Sequence, residues 1–254
     1  TGNRFEFRAP GSGQTVAGPM VMLNTIMAEA LDYCATELEK AVADDTDFNE
    51  AVQTLLSGIV ADNGAVIFNG NGYSDEWPVE AEQRGLKNLR TTVDAIPELI
   101  TPEAIELFSK YSVFSDREMH SRYEVGLEQY ILTVGVEANL TLEIGTTTVL
   151  PAAIRYQTEL ASNVAALKAA GVEADLTTLQ SVSAPIADLR AGLATLAAAV
   201  AHDHDADALV AATTLRDVVL PAMNAVRAAA DTLEGLVADD LWPLPTYQEM
   251  LYIL

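Results

Sequence analysis

The sequence predicts a mainly α-helical protein, with a short N-terminal strand, then packed helices, then an antiparallel bundle of long helices. Three observations carry that prediction. Charged and aromatic residues alternate from Arg4 to Arg8, apolar residues recur at helical spacing over most of the remaining chain, and short polar turns separate the alanine- and leucine-rich stretches of the second half.

The alternation Arg4, Phe5, Glu6, Phe7, Arg8 is the period of a strand and sends three charges to one face and two aromatic rings to the other. Pro10, Gly11, Gly13 and Gly18 then impose an irregular loop. Pro19 suits the first position of a helix carrying Met22, Leu23, Ile26, Met27 and Leu31. The run from Asp44 to Asp47 breaks that pattern and offers N-caps for a second helix, from 48 to about 60. Asn69-Gly70-Asn71-Gly72 is a turn, and short helices are expected over 78–84, 92–100 and 102–111. This first part reads as loops and helices packed on a catalytic core that lies mostly outside it.

Ser115 with Glu118 three residues on is a capping-box signature, and Tyr123, Leu127, Tyr130, Ile131 and Val134 follow at helical spacing. The pattern runs to about Ala170, with Gly171 as the C-cap, roughly 55 residues and ~80 Å if unbroken. Pro151 should kink it. Two further helices are expected over 175–201 and 206–237, antiparallel to their neighbours because the connections are short. Val149-Leu150-Pro151-Ala152 recurs as Val219-Leu220-Pro221-Ala222, which suggests equivalent kinks in two packed helices. The expected division is 1–114 and 115–254.

Composition narrows the function classes. Lys+Arg number 14 against 37 Asp+Glu, a net charge of −23, so nucleic acid and an anionic membrane surface are repelled. The lysines are Lys40, Lys87, Lys110 and Lys168; the carboxylate excess fits either a high-salt habitat or an ordinary solvated surface. The single cysteine, Cys34, excludes an intramolecular disulfide or a CxxC site and reads as a small buried hydrophobe. No continuous apolar run approaches the roughly 18 residues of a membrane span, so a soluble, cytoplasmic protein is expected. The start at Thr1, with a strand-like segment following almost at once, reads as a chain cut from a longer one.

Few residues present themselves for chemistry. Arg4, Glu6 and Arg8 place a carboxylate between two guanidinium groups, which suits a divalent metal beside a polyphosphate and equally suits a solvated, self-compensating strand face. His202-Asp203-His204-Asp205 has the composition of metal ligands but falls where one helix ends and the next begins, where aspartate N-caps are ordinary. His120 falls in the first turns of the long helix, a surface or interface position. No nucleophile motif, P-loop or Rossmann glycine pattern occurs.

The stretch Asn3-Arg4-Phe5-Glu6-Phe7-Arg8-Ala9-Pro10 resembles the R-x-E-x-R-x-P run near the end of the glutamine synthetase catalytic barrel. The longer similarity is to the C-terminal portion of the type III branch. It continues through Ala17-Gly18-Pro19, Leu23-Asn24-Thr25-Ile26, the segment from Ile67 to Trp77, Glu118-Met119-His120-Ser121-Arg122-Tyr123-Glu124, Leu127-Glu128-Gln129-Tyr130, the segment from Leu150 to Gln157, and the segment from Leu241 to Tyr247. These matches occur in order along the whole chain.

The resemblance implies ATP-dependent ligation of ammonia to glutamate through γ-glutamyl phosphate, organised by two Mg²⁺ or Mn²⁺ ions. By motif position Glu6 resembles a ligand of the nucleotide-side metal. Arg4 resembles the arginine on the nucleotide phosphates, and Arg8 the arginine that stabilises the transferring phosphoryl group. The other metal ligands, the ammonium site and most glutamate contacts would lie before Thr1, so the chain alone is expected to be inactive. A homo-oligomer, a dodecamer of two stacked hexamers, is implied for the parent enzyme. Two other readings stand beside this one. The first is a helical-bundle interaction or assembly module without catalysis, and the second a metal-storing or metal-sensing bundle using His202 and His204.

Overall fold

The computed structural model describes residues 14–201, 207–245 and 247–251, and every regular element among them is helical. The strand expected at Arg4 to Arg8 lies outside the described residues. The chain divides into two compact units, Thr1–Tyr123 and Glu124–Leu254.

In the first unit α1 spans Ala17–Ala43. It starts two residues ahead of Pro19, which sits within the first turn, where a missing N–H costs nothing because no intrahelical acceptor is available to it. Helix α2, Phe48–Asp62, is capped by Asp47, whose carboxylate accepts from the amides of Asn49 and Glu50 at 3.0 and 3.2 Å. Three short helices follow: α3, Glu76–Gln83, α4, Thr92–Ala95, and α5, Pro102–Lys110. Helix α4 tightens into a 3₁₀ turn at Ile96–Ile100, so the single helix expected over 92–100 is a composite; Pro97 stands at the start of that turn. The capping box forms in full. The Ser115 amide donates to Glu118 Oε2 at 2.8 Å and the Glu118 amide to Ser115 Oγ at 3.3 Å. They open α6, Asp116–Ile144, which crosses from the first unit into the second.

The apolar residues buried among the described part of the first unit are Ala51, Val93, Phe108 and Met119. Met20, Met27 and Leu31, one stripe of α1, are each more than half exposed. Cys34, expected to be buried, is only half-buried, because its helix has this open face.

The second unit is organised by α6, α7 (Leu150–Ala169), α8 (Thr177–Val200), α9 (Ala208–Thr214) and α10 (Leu220–Glu234), with α11 (Tyr247–Leu251) near the end. Helix α8 packs against both α7 and α10. Its core positions are Val182, Ile186, Leu189, Leu193 and Leu196; those of the last long helix are Leu215, Val219, Ala222, Val226, Ala229 and Leu233. Both series alternate steps of four and three, the seam of helices packed at a shallow angle. Gly192 lets that seam close: a Cβ there would lie 3.2 Å from Val226 Cγ2 and 3.3 Å from the Val226 amide nitrogen.

Where a kink is expected at Pro151, the helix forms a π turn just ahead of it. An α-helix would lose the proline N–H bond and press its ring on the carbonyl four residues back. Here the chain widens at Gly145–Val149, and the Leu150 amide donates to the Gly145 carbonyl, five residues earlier. The second copy of the repeated tetrapeptide behaves identically: Leu215–Val219 is a π turn before Pro221, and the Leu220 amide donates to the Leu215 carbonyl.

One helical run, Ala208–Glu234, has the length and mean hydropathy of a membrane span, although Arg216 and Asp217 interrupt its apolar residues. Its apolar seam is the bundle core just described.

Candidate functional site

The residues singled out for chemistry fall where the structure gives no description. Arg4, Glu6 and Arg8 lie outside the described residues, and so do His202 and His204. Among the described residues no group of three His, Cys, Asp or Glu is placed to hold a metal ion. His120 is on the surface at the start of α6, its Nδ1 3.0 Å from the Asp116 carbonyl oxygen.

The most elaborated site in the first unit is built on the segment 64–84. A 3₁₀ turn, Gly64–Val66, delivers Phe68 onto Trp77, the ring centroids 3.9 Å apart and nearly parallel. Arg84, seven residues and two turns along α3 from Trp77, lays its guanidinium over both rings, 5.9 Å from Phe68 and 5.5 Å from Trp77. The same guanidinium donates to the carbonyls of Ala65 and Ile67 at 3.2 and 2.9 Å and pairs with Glu80. Three kinds of contact therefore fix one arginine, which suits its planar fork better than a lysine. Between the clasped aromatics runs the turn Asn69-Gly70-Asn71-Gly72. Gly70 is needed there, since a Cβ would come within 2.4 Å of Phe68 Cζ. Asn71 accepts from the Tyr73 amide at 3.1 Å, and Tyr73 stands 92 % exposed beyond the turn. The clasp holds an exposed loop in a defined shape; it contains no nucleophile paired with a base.

A second polar cluster joins α1 to α5. Lys110 Nζ lies 2.7 Å from Glu29 and 3.2 Å from Asp32, and the Tyr111 hydroxyl lies 2.6 and 2.9 Å from the same carboxylates. Hydrogen bonds from Lys110 and then Tyr111 hold Glu29 below its ordinary pKa; Tyr111 and then Lys110 do so for Asp32. Partial desolvation, then the Glu29 carboxylate, push the Tyr111 phenol up to about 12.

Sequence reasoning missed both clusters. Arg84 carried a faint signal, because Glu80 and Arg84 stand four residues apart in the helix expected over 78–84. The Lys110 cluster carried none, since its partners are about eighty positions apart.

Residues 51–168 match the family model of the glutamine synthetase C-terminal domain. Over 265 aligned positions the chain is 35 % identical to a type-3 glutamine synthetase of Dictyostelium discoideum, an alignment that covers 100 % of this chain and 36 % of that protein. It is 27 % identical over 261 positions to a glutamine synthetase of Bacteroides fragilis, covering 99 % and 36 %, and 30 % identical over 269 positions to one of Butyrivibrio fibrisolvens, covering 100 % and 37 %. The chain thus spans a little over a third of the length of these curated relatives.

Proposed function

The chain belongs to the glutamine synthetase family, and on that premise we propose that it supplies one edge of the active site of a type III glutamate–ammonia ligase, together with the helices that brace it. One observation carries the reading: the run Arg4-Phe5-Glu6-Phe7-Arg8-Ala9-Pro10 stands at the head of a chain that is similar over its whole length to glutamine synthetases.

The reaction joins ammonia to glutamate at the expense of ATP, passing through γ-glutamyl phosphate. Arg4 binds the nucleotide phosphates, and Arg8 neutralises charge on the phosphoryl group as it passes to the glutamate carboxylate. Such transfer depends mainly on positioning and charge neutralisation, which fixed guanidinium groups supply. Glu6 fits a divalent cation chemically, as a hard oxygen donor between two arginines. Mg²⁺ or Mn²⁺ bound there would draw charge from the phosphate oxygens. One carboxylate is not a complete metal site, and no further ligand set occurs among the described residues. We therefore assign the other ligands, the ammonium site and most of the glutamate site to parts of the enzyme outside this chain, and expect the isolated chain to be inactive.

Within this reading residues 1–114 end the catalytic domain and 115–254 form a helical C-terminal domain. The exposed stripe of α1 is covered in the complete enzyme by the rest of the catalytic domain. The enzyme works in the cytoplasm as a ring-built homo-oligomer, a dodecamer. The test is comparative: the complete protein should release phosphate only when ATP, glutamate and ammonia are all present, and the 254-residue chain should not. A complete protein without that activity would refute the assignment.

A second reading draws on the second unit's continuous core. Residues 124–254 have what an independent helical module needs, which favours an assembly role for that part. A C-terminal truncation that leaves the oligomer intact would count against it.

A further inference from the structure

We propose that Asn69 is a self-modification site, at which the backbone nitrogen of Gly70 displaces ammonia from the asparagine side chain and a charged residue replaces a neutral one. All the Asn-Gly pairs of the chain, Asn63-Gly64, Asn69-Gly70 and Asn71-Gly72, fall within one segment. Glycine has no side chain to shield its own amide nitrogen, which makes that nitrogen the most accessible backbone nucleophile an asparagine can meet. In the reaction the Gly70 amide yields its proton to hydroxide or water, and its nitrogen bonds to Asn69 Cγ. The Cγ–Nδ2 bond breaks, ammonia leaves with a proton from solvent, and a cyclic imide remains. Water then opens the imide at either carbonyl, giving aspartate or isoaspartate. Water is the only co-reactant, no atom changes oxidation state, and the loop gains one negative charge.

The fold distinguishes the three pairs. Asn63 closes α2: its Nδ2 donates to the Ile59 carbonyl at 2.9 Å, and its backbone lies at φ −108° and ψ 16°. At that ψ the Gly64 nitrogen nearly eclipses the amide nitrogen of Asn63 and lies away from the side chain it would have to attack. Asn71 is held twice. Its Oδ1 accepts from the Tyr73 amide at 3.1 Å and its carbonyl from the Ser74 amide at 3.1 Å, and both bonds resist the rotations that bring Cγ onto the Gly72 nitrogen. Asn69 has neither restraint. Among the described residues its side chain makes no hydrogen bond and the Gly70 amide donates none, and both residues are exposed. The aromatic clasp also demands the reactive pair, because any side chain at position 70 would strike the Phe68 ring, so glycine must follow Asn69. The isoaspartate product would add a methylene to the main chain at that same crowded point.

The proposal is independent of the ligase reading, because it is tested by the chemistry of the chain alone. The 254-residue chain is incubated at mildly alkaline pH, folded and in urea, and amide-to-acid exchange at each asparagine is located by fragmentation mass spectrometry. In the folded chain Asn69 should exchange at least about fivefold faster than Asn71 or Asn63, the factor that one hydrogen bond to be broken imposes on a rate. In urea the three should exchange at similar rates. Isoaspartate, labelled by an isoaspartate-specific methyltransferase, should accumulate in the folded chain and fall at least about fivefold in Asn69→Gln, whose longer side chain disfavours the imide. Exchange at Asn71 or Asn63 as fast as at Asn69 in the folded chain would overturn the proposal. So would an Asn69 that exchanges in urea but not in the folded chain, or labelling undiminished in Asn69→Gln.

Discussion

The two units satisfy their helices in opposite ways. In the second, Leu189, Leu196 and Leu233 are fully buried in one continuous core drawn from all the long helices. In the first, α1 is as long as many core helices yet leaves Met20, Met27 and Leu31 more than half exposed. A fully buried leucine is worth about 1.5–3 kcal/mol relative to exposure, so that stripe forgoes stabilisation the second unit collects. The lesson is that helix formation and helix satisfaction are separate: α1 forms without a side-chain hydrogen bond from its N-cap residue, Val16, on its local pattern, whereas only a partner surface can use its apolar face.

The largest test of that contrast removes apolar groups from each unit. Each unit carries one tryptophan, Trp77 or Trp242, so its unfolding can be followed by fluorescence with the other replaced by phenylalanine. Leu189→Ala should cost about 2–5 kcal/mol in urea unfolding of the second unit. Leu31→Ala in the same chain should change stability by no more than about 0.5 kcal/mol. Comparable losses at both positions would erase the contrast.

A smaller effect sharpens it inside the second unit. Gly192→Ala forces a methyl against Val226 and its backbone, and should cost about 1–3 kcal/mol in the same assay. Gly135, in the same unit, has open space around its Cβ position, so Gly135→Ala should stabilise by about 0.4–1 kcal/mol. Equal effects would mean that α8 and α10 do not approach as closely as described.

The smallest expected effect is pH-dependent and confined to the first unit. Glu29 and Asp32 are held below their ordinary values of 4.5 and 3.8. Their contribution is therefore fully present above the ordinary carboxylate range. It is lost as pH falls from there through the depressed folded values. Thermal unfolding read at Trp77 should lose stability over that acid range, and Lys110→Met should reduce the loss. An unchanged acid profile in the variant would remove the cluster from the account. The effect is modest because the groups are exposed to solvent.

Most of the helices were legible because their signals are local. Asp47 and Ser115 cap where a side-chain oxygen precedes an apolar run, and Glu118 completes its box. Other features depend on packing and left weaker traces. The repeat Val-Leu-Pro-Ala reads as a pair of kinks, but the π turn that absorbs each proline is visible only in the backbone hydrogen bonds. Pro185 lies inside α8 without ending it, against its usual effect, among the buried residues of the core. The half-exposure of Cys34 and the Lys110 cluster follow from which surfaces meet, which helical periodicity does not encode. For the site, Arg4, Glu6 and Arg8 were legible as a motif. Their geometry is outside the described residues, so the motif and the family relationship support the assignment together.

The central claim is tested most directly at Glu6. Glu6→Ala in the complete enzyme, compared with wild type for metal-dependent glutamine formation and for oligomer size by gel filtration, should abolish turnover while leaving assembly intact. Turnover at the wild-type rate with the same metal dependence would contradict the assignment.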